Sequence, residues 1–138
     1  MITLIAEDDF TSRLLLEQLL RPYGEVHLAE NGEAAVEATR AALATEQHFD
    51  LICLDIMMPL MDGQQALVQI RELEYRAGLL NSQAARVLMT TALSDHKNVM
   101  RAFREQCDGY LTKPIDKRAL LEQLDKLGLA EGVRDGTR

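Results

Sequence analysis

Asp50-Leu51-Ile52-Cys53-Leu54-Asp55-Ile56-Met57-Met58-Pro59-Leu60-Met61-Asp62-Gly63 is the stretch that decides the fold. Leu51 to Leu54 form a short continuous apolar run, the pattern of a strand buried on both faces of a parallel sheet. The run stops on a carboxylate, Asp55, and Pro59 followed by Asp62-Gly63 turns the chain into a loop. Ligands of an open parallel α/β sheet sit beyond the carboxyl ends of its strands, so Asp55 stands where such a fold does its chemistry. A lone aspartate at a strand end caps a turn equally well. Residues elsewhere decide between the two readings.

Upstream, Ile2 to Ala6 read as a buried strand ended by Glu7-Asp8-Asp9. Thr11 or Ser12 is expected to cap a helix with Leu14, Leu15, Leu16, Leu19 and Leu20, stopping near Pro22 and Gly24. Val26 to Ala29 form a second strand, and Asn31-Gly32 open an Ala-rich helix through about Ala44. Downstream, a helix from Gly63 places Ala66, Leu67, Ile70, Leu73 and Ala77 on one face. A polar connection, Gly78 to Ala85, leads to the strand Arg86 to Thr90, and a helix is expected from Ser94-Asp95 with Val99, Met100 and Phe103. Asp108-Gly109 turn into a fifth strand, Tyr110 to Thr112, closed by Lys113-Pro114. Asp116 caps a last helix with Leu120, Leu121, Leu124 and Leu127 inward and Gly128 as its stop. Five strands alternating with five helices predict an α/β fold: a doubly wound, flavodoxin-like parallel sheet in the order 2-1-3-4-5.

Bulk properties narrow the function. The 138 residues suit one domain, with 47% hydrophobic and 27% charged residues and a formal charge of −7. That charge argues against direct nucleic-acid or anionic-membrane binding. No apolar run approaches the ~18 residues of a membrane span, and no signal peptide is evident at Met1, so a cytoplasmic location is expected. Cys53 and Cys107 form no CxxC pair and read as buried, reduced thiols.

Four strand ends carry pointed chemistry: Glu7-Asp8-Asp9, Asp55, Thr90-Thr91 and Lys113. In a right-handed parallel sheet they share one edge, and the order 2-1-3-4-5 makes the first and third strands neighbours. Two carboxylates about 4 Å apart repel by roughly 4 kcal/mol at an effective dielectric of 20. Glu7, Asp8 and Asp55 are therefore expected either to hold a proton or to bind a cation. Oxygen-only donors favour a hard ion such as Mg²⁺. A carboxylate beside Mg²⁺, a lysine and a hydroxyl suits an aspartyl-phosphate acceptor.

These residues resemble the receiver domain of bacterial two-component response regulators, the class that includes the chemotaxis regulator. The motifs are Leu4-Ile5-Ala6-Glu7-Asp8-Asp9, Leu54-Asp55-Ile56-Met57-Met58-Pro59 with Asp62-Gly63, Met89-Thr90-Thr91-Ala92, and Gly109-Tyr110-Leu111-Thr112-Lys113-Pro114. The resemblance covers about residues 1–127 and leaves 128–138 as a flexible tail. It implies that Asp55 accepts phosphate from a sensor histidine kinase or histidine phosphotransfer protein. It further implies that Asp8, Asp55 and the carbonyl of Met57 ligate Mg²⁺, with Glu7 acting through water. Thr91 resembles the switch hydroxyl, Tyr110 the coupled aromatic and Lys113 the phosphate partner, and the bond before Pro114 is expected to be cis. Output would pass through the surface around the fourth helix, fifth strand and fifth helix to a downstream protein or output domain, with a homodimer a further option.

Three departures stand out against that pattern: the connection before the fourth strand is several residues longer than usual, Cys107 sits where a small alanine is common, and Met57 replaces a polar residue carried by some members. A phosphatase acting on small substrates would place a second acid where Met57 stands, so a turnover enzyme is not expected. A flavin-binding site would need a Ser/Thr/Gly-rich phosphate loop where this chain has three acids.

Overall fold

The computed structural model describes residues 1–92 and 107–129. Five strands, β1 (Ile2–Ala6), β2 (Glu25–Ala29), β3 (Leu51–Asp55), β4 (Arg86–Ala92) and β5 (Gly109–Lys113), form one parallel sheet in the order β2-β1-β3-β4-β5. The described helices are α1 (Phe10–Leu20), α2 (Gly32–Leu43), α3 (Gly63–Arg76) and α4 (Lys117–Lys126). The expected order of strands is the observed one. The helix expected from Ser94 and the tail beyond Leu129 lie outside the described residues.

Side-chain alternation explains why β3 reads as one apolar run. Ile52 and Leu54 enter a core with Leu4, Ala6, Val87 and Met89 beneath α2 and α3. Leu51 and Cys53 enter the opposite core with Ile5, Leu88 and Leu111 beneath α1 and α4. Every residue of β3 is buried, as a central strand covered on both faces requires.

Helix starts are set by side chains that accept from free backbone N–H groups. Asn31, Asp62 and Asp116 cap α2, α3 and α4, and Asp62 with Gln65 completes a capping box. The first helix begins earlier than its sequence suggests. Its cap is Asp9, whose carboxylate accepts from the Ser12 N–H at 2.8 Å, so Thr11 and Ser12 lie inside the first turn. That bond, above all, holds the Asp9 carboxyl below the usual carboxylate range.

Two further differences concern the end of α3 and the end of β4. Ala77 is exposed, because α3 closes there and its C-cap leaves the core face. In its place Glu74 is buried: its carboxylate accepts from the Ala85 N–H at 2.7 Å and from Arg71, which also reaches the Ala85 carbonyl and Asp108. This network fastens the long α3–β4 connection. The second difference is that β4 runs on through Ala92, so Thr91 belongs to the strand rather than to the loop after it.

Candidate metal and phosphoryl site

Sheet register builds the site. Ala6 pairs with Leu54, so the residues that follow, Glu7 and Asp55, meet at adjacent strand ends. Asp55 pairs with Thr90, Thr91 with Thr112 and Ala92 with Lys113, which brings the lysine to the same edge. One ligand oxygen each from Glu7, Asp8 and Asp55 lie within 4.8 Å of one another. Glu7 and Asp55 are buried, whereas Asp8 is exposed.

Lys113 bridges the two buried acids. Its Nζ lies 2.9 Å from Glu7 Oε1 and 3.1 Å from Asp55 Oδ2, and it donates to Glu7 Oε2 at 3.1 Å. Burial pulls the ammonium toward neutrality, but the hydrogen bond to Glu7 and the charge of Asp55 outweigh it, and its pKa is raised. Asp55 is pushed up to about 8, by burial first and then by the adjoining Glu7 carboxyl, with Lys113 opposing. The site thus holds more negative charge than one lysine can neutralise.

That excess is the test of whether a cation fits. The donors are all oxygens, and Glu7 Oε1 is buried, ion-paired with Lys113 at 2.9 Å but with no aligned hydrogen bond among the described residues. Both features suit Mg²⁺, which takes one or two carboxylates and keeps several waters. Asp8 and Asp55 would hold it directly, and Glu7 would orient one of its waters.

The surrounding loops are shaped by close approach. A Cβ on Gly63 would lie 2.2 Å from the Asp55 carbonyl oxygen, so only glycine lets α3 start against the end of β3. Asp55 Oδ1 accepts from the Met57 N–H at 3.4 Å, and Met57 itself is largely exposed. Thr91 is buried and its hydroxyl donates to the Ala92 carbonyl at 3.2 Å. Neighbouring Thr90 has a buried hydroxyl with no hydrogen-bond partner among the described residues. Tyr110 is about two-fifths exposed, and the Lys113–Pro114 bond is cis. Glu7, Asp8, Asp55, Thr91 and Lys113 therefore fall at one edge of the sheet, whereas Tyr110 lies three residues before Lys113 on β5, paired with Met89. Arg13 was not expected at that edge: it donates to the Glu7 carbonyl at 2.9 Å. Its spacing from Leu16 and Leu20 on the inner face of α1 was the available signal.

A flavodoxin-like parallel sheet with three acids and a lysine at its carboxyl edge is the arrangement expected of a receiver domain. The response regulator receiver domain model matches residues 3–125, and the chain belongs to that family. It is 31% identical over 123 residues to the chemotaxis protein CheY of Halobacterium salinarum, covering 89% of this chain and 92% of that protein. Among solved structures it is similar to one from Saccharomyces cerevisiae, the phosphotransfer protein Ypd1 co-crystallised with the receiver domain of its downstream regulator Ssk1. That match has 28% identity and a TM-score of 0.78 over 99% of this chain and 94% of the matched one. It is also similar to the receiver domain of the sensor kinase PA1611 from Pseudomonas aeruginosa, solved with magnesium in its active-site cleft. There the identity is 26% and the TM-score 0.68, over 92% and 97% of the two chains.

By that membership the protein is a phosphorylation-activated switch of two-component signalling, rather than an enzyme turning over small substrates. Receiver domains work with histidine kinases or phosphotransfer proteins. Among the described residues, no helix is long and apolar enough to cross a membrane.

Proposed function

We propose that Asp55 is the phospho-acceptor and that residues 1–127 form the receiver unit, with 128–138 as its tail. The carrying observation is the convergence of Glu7, Asp8 and Asp55 within 4.8 Å, with Lys113 shared between Glu7 and Asp55. An Asp55 carboxylate oxygen attacks the phosphorus of a partner's phosphohistidine. The P–O bond forms as the P–N bond breaks, and the leaving imidazole nitrogen takes up a proton. Bound Mg²⁺ supplies neutralising charge for the phosphoryl oxygens and favours the ionised carboxylate.

Asp8, Asp55 and the Met57 carbonyl would hold the metal, and Glu7 would act through water. Lys113 is already placed to move from the carboxylates to the new phosphoryl oxygens. Phosphorylation adds up to about two negative charges, and Thr91 turns its hydroxyl from the Ala92 carbonyl toward them. Tyr110 follows, which shifts the surface carrying β5 and α4 toward its signalling state. The same site catalyses its own dephosphorylation by admitting water to the acyl phosphate. The donor is a sensor histidine kinase or phosphotransfer protein, the recipient of the signal a downstream protein, an output domain or a second copy, and the location the cytoplasm.

Beryllofluoride titration followed by amide NMR tests this switch. With Mg²⁺ present, the resonances of Thr91, Tyr110 and Lys113 should shift together and saturate at one equivalent. Shifts confined to Asp55 and its immediate neighbours would refute the coupling.

A further inference from the structure

The geometry points to Arg13 as a positioning residue for the acidic loop, a role that rests on the metal reading above. The loop Glu7-Asp8-Asp9 carries two of the three converging acids, and both backbone groups of Glu7 are held. Its N–H donates to the Ala29 carbonyl at 3.0 Å, and its carbonyl accepts from Arg13 Nη1 at 2.9 Å. The other terminal nitrogen, Nη2, lies 3.8 Å from Glu30, the residue after β2. Arg13 therefore spans the loop like a fork, with one prong on the turn after β1 and one beyond the end of β2.

Its surroundings fix that fork. The Arg13 side chain is only 14% exposed, and its guanidinium carbon lies 5.7 Å from the centre of the Phe10 ring. The Arg13 N–H donates to the Asp9 carbonyl at 2.9 Å, so the loop and the first turn of α1 are tied at both ends. Within the loop, the Asp9 N–H donates to Glu7 Oε2 at 3.1 Å. Asp8, exposed between these two anchored residues, has its backbone direction set by them.

Charge alone gives the opposite expectation. A guanidinium near three carboxylates weakens their hold on a cation, so its removal should tighten Mg²⁺ binding. A positioning role predicts weaker binding instead, because groups that fix metal ligands from behind typically contribute about 10- to 100-fold in affinity. The sign of the change separates the two.

Isothermal titration of Mg²⁺ into the full chain reads it directly, alongside Arg13→Met, Arg13→Lys and Glu30→Gln. Arg13→Met keeps the stem and removes the donors, and its dissociation constant should rise about tenfold. Arg13→Lys restores one donor and should lie within about threefold of the parent, and Glu30→Gln within about twofold. At saturating Mg²⁺, phosphorylation of Arg13→Met by acetyl phosphate should return to the parental rate, as expected of a residue acting only through the metal ligands. Unchanged or tighter binding in Arg13→Met overturns the proposal, as does a rate still depressed at saturating Mg²⁺. Should Arg13→Met fail to fold, Arg13→Gln carries the same expectation and the same refutation. A parent chain that binds no Mg²⁺ overturns the metal reading itself, and this role with it.

Discussion

Replacing Asp55 by Asn should stabilise the metal-free protein at alkaline pH, against the usual cost of altering a buried polar group. The Asp55 carboxyl is buried beside Glu7, which raises its pKa from an ordinary 3.8 to about 8. Between those values the folded state keeps a proton that the unfolded chain has released. Stability therefore falls as pH rises from about 4 to 8 and changes little from this group below that window. The full difference corresponds to roughly 6 kcal/mol as an upper bound, at about 1.4 kcal/mol per pH unit. Lys113 opposes the effect from 3.1 Å and the surroundings can relax, so about half of it is the working figure. The amide introduced by Asp55→Asn is neutral at every pH, and it can still donate to Glu7 and accept from Lys113. Urea unfolding in EDTA, followed by circular dichroism at pH 5, 6, 7 and 8, reads the difference. The parent should lose about 2 kcal/mol relative to the Asp55→Asn variant across that range, and saturating Mg²⁺ should close most of the gap. Parallel pH profiles for the two proteins in EDTA would refute the reasoning, because they would mean that Asp55 is ionised without strain.

Lys113→Met removes the ammonium between Glu7 and Asp55 and should cost about 3 kcal/mol at neutral pH, measured by urea unfolding without metal. Gly63→Ala drives a methyl group into the Asp55 carbonyl, so stability should fall by at least about 2 kcal/mol. Mg²⁺ affinity should weaken with it, in a calorimetric titration. Glu74→Ala strands the Ala85 N–H and removes a partner of Arg71, at a cost of about 2–4 kcal/mol by urea unfolding. Because that network lies at the opposite end of the sheet, Mg²⁺ affinity should stay within about twofold.

The strand order and the acidic edge were legible because they rest on strong local signals. Leu51 to Leu54 can hardly be anything but a central strand, and strands of one parallel sheet bring their carboxyl ends together without further information. The cap of α1 was less legible. Asp9, Thr11 and Ser12 are all good capping residues within one turn, and only the backbone direction after β1 selects Asp9. Ala77 fits the helical stripe by spacing, but spacing says nothing of where the last turn leaves the core. Glu74 and Arg13 were overlooked for a shared reason. Each is a charged residue on an inward face, and each is tolerated because a backbone group three-dimensionally adjacent but distant or unremarkable in sequence satisfies it.

Phosphoryl transfer to Asp55 is the claim most directly open to measurement. The chain and Asp55→Asn would be incubated with acetyl phosphate, with and without Mg²⁺, and their intact masses recorded over time. A gain of one phosphoryl group that requires Mg²⁺ and is absent in Asp55→Asn is the predicted result. An adduct that persists in Asp55→Asn, or no adduct in the parent under any condition, would contradict the assignment of Asp55 as the acceptor.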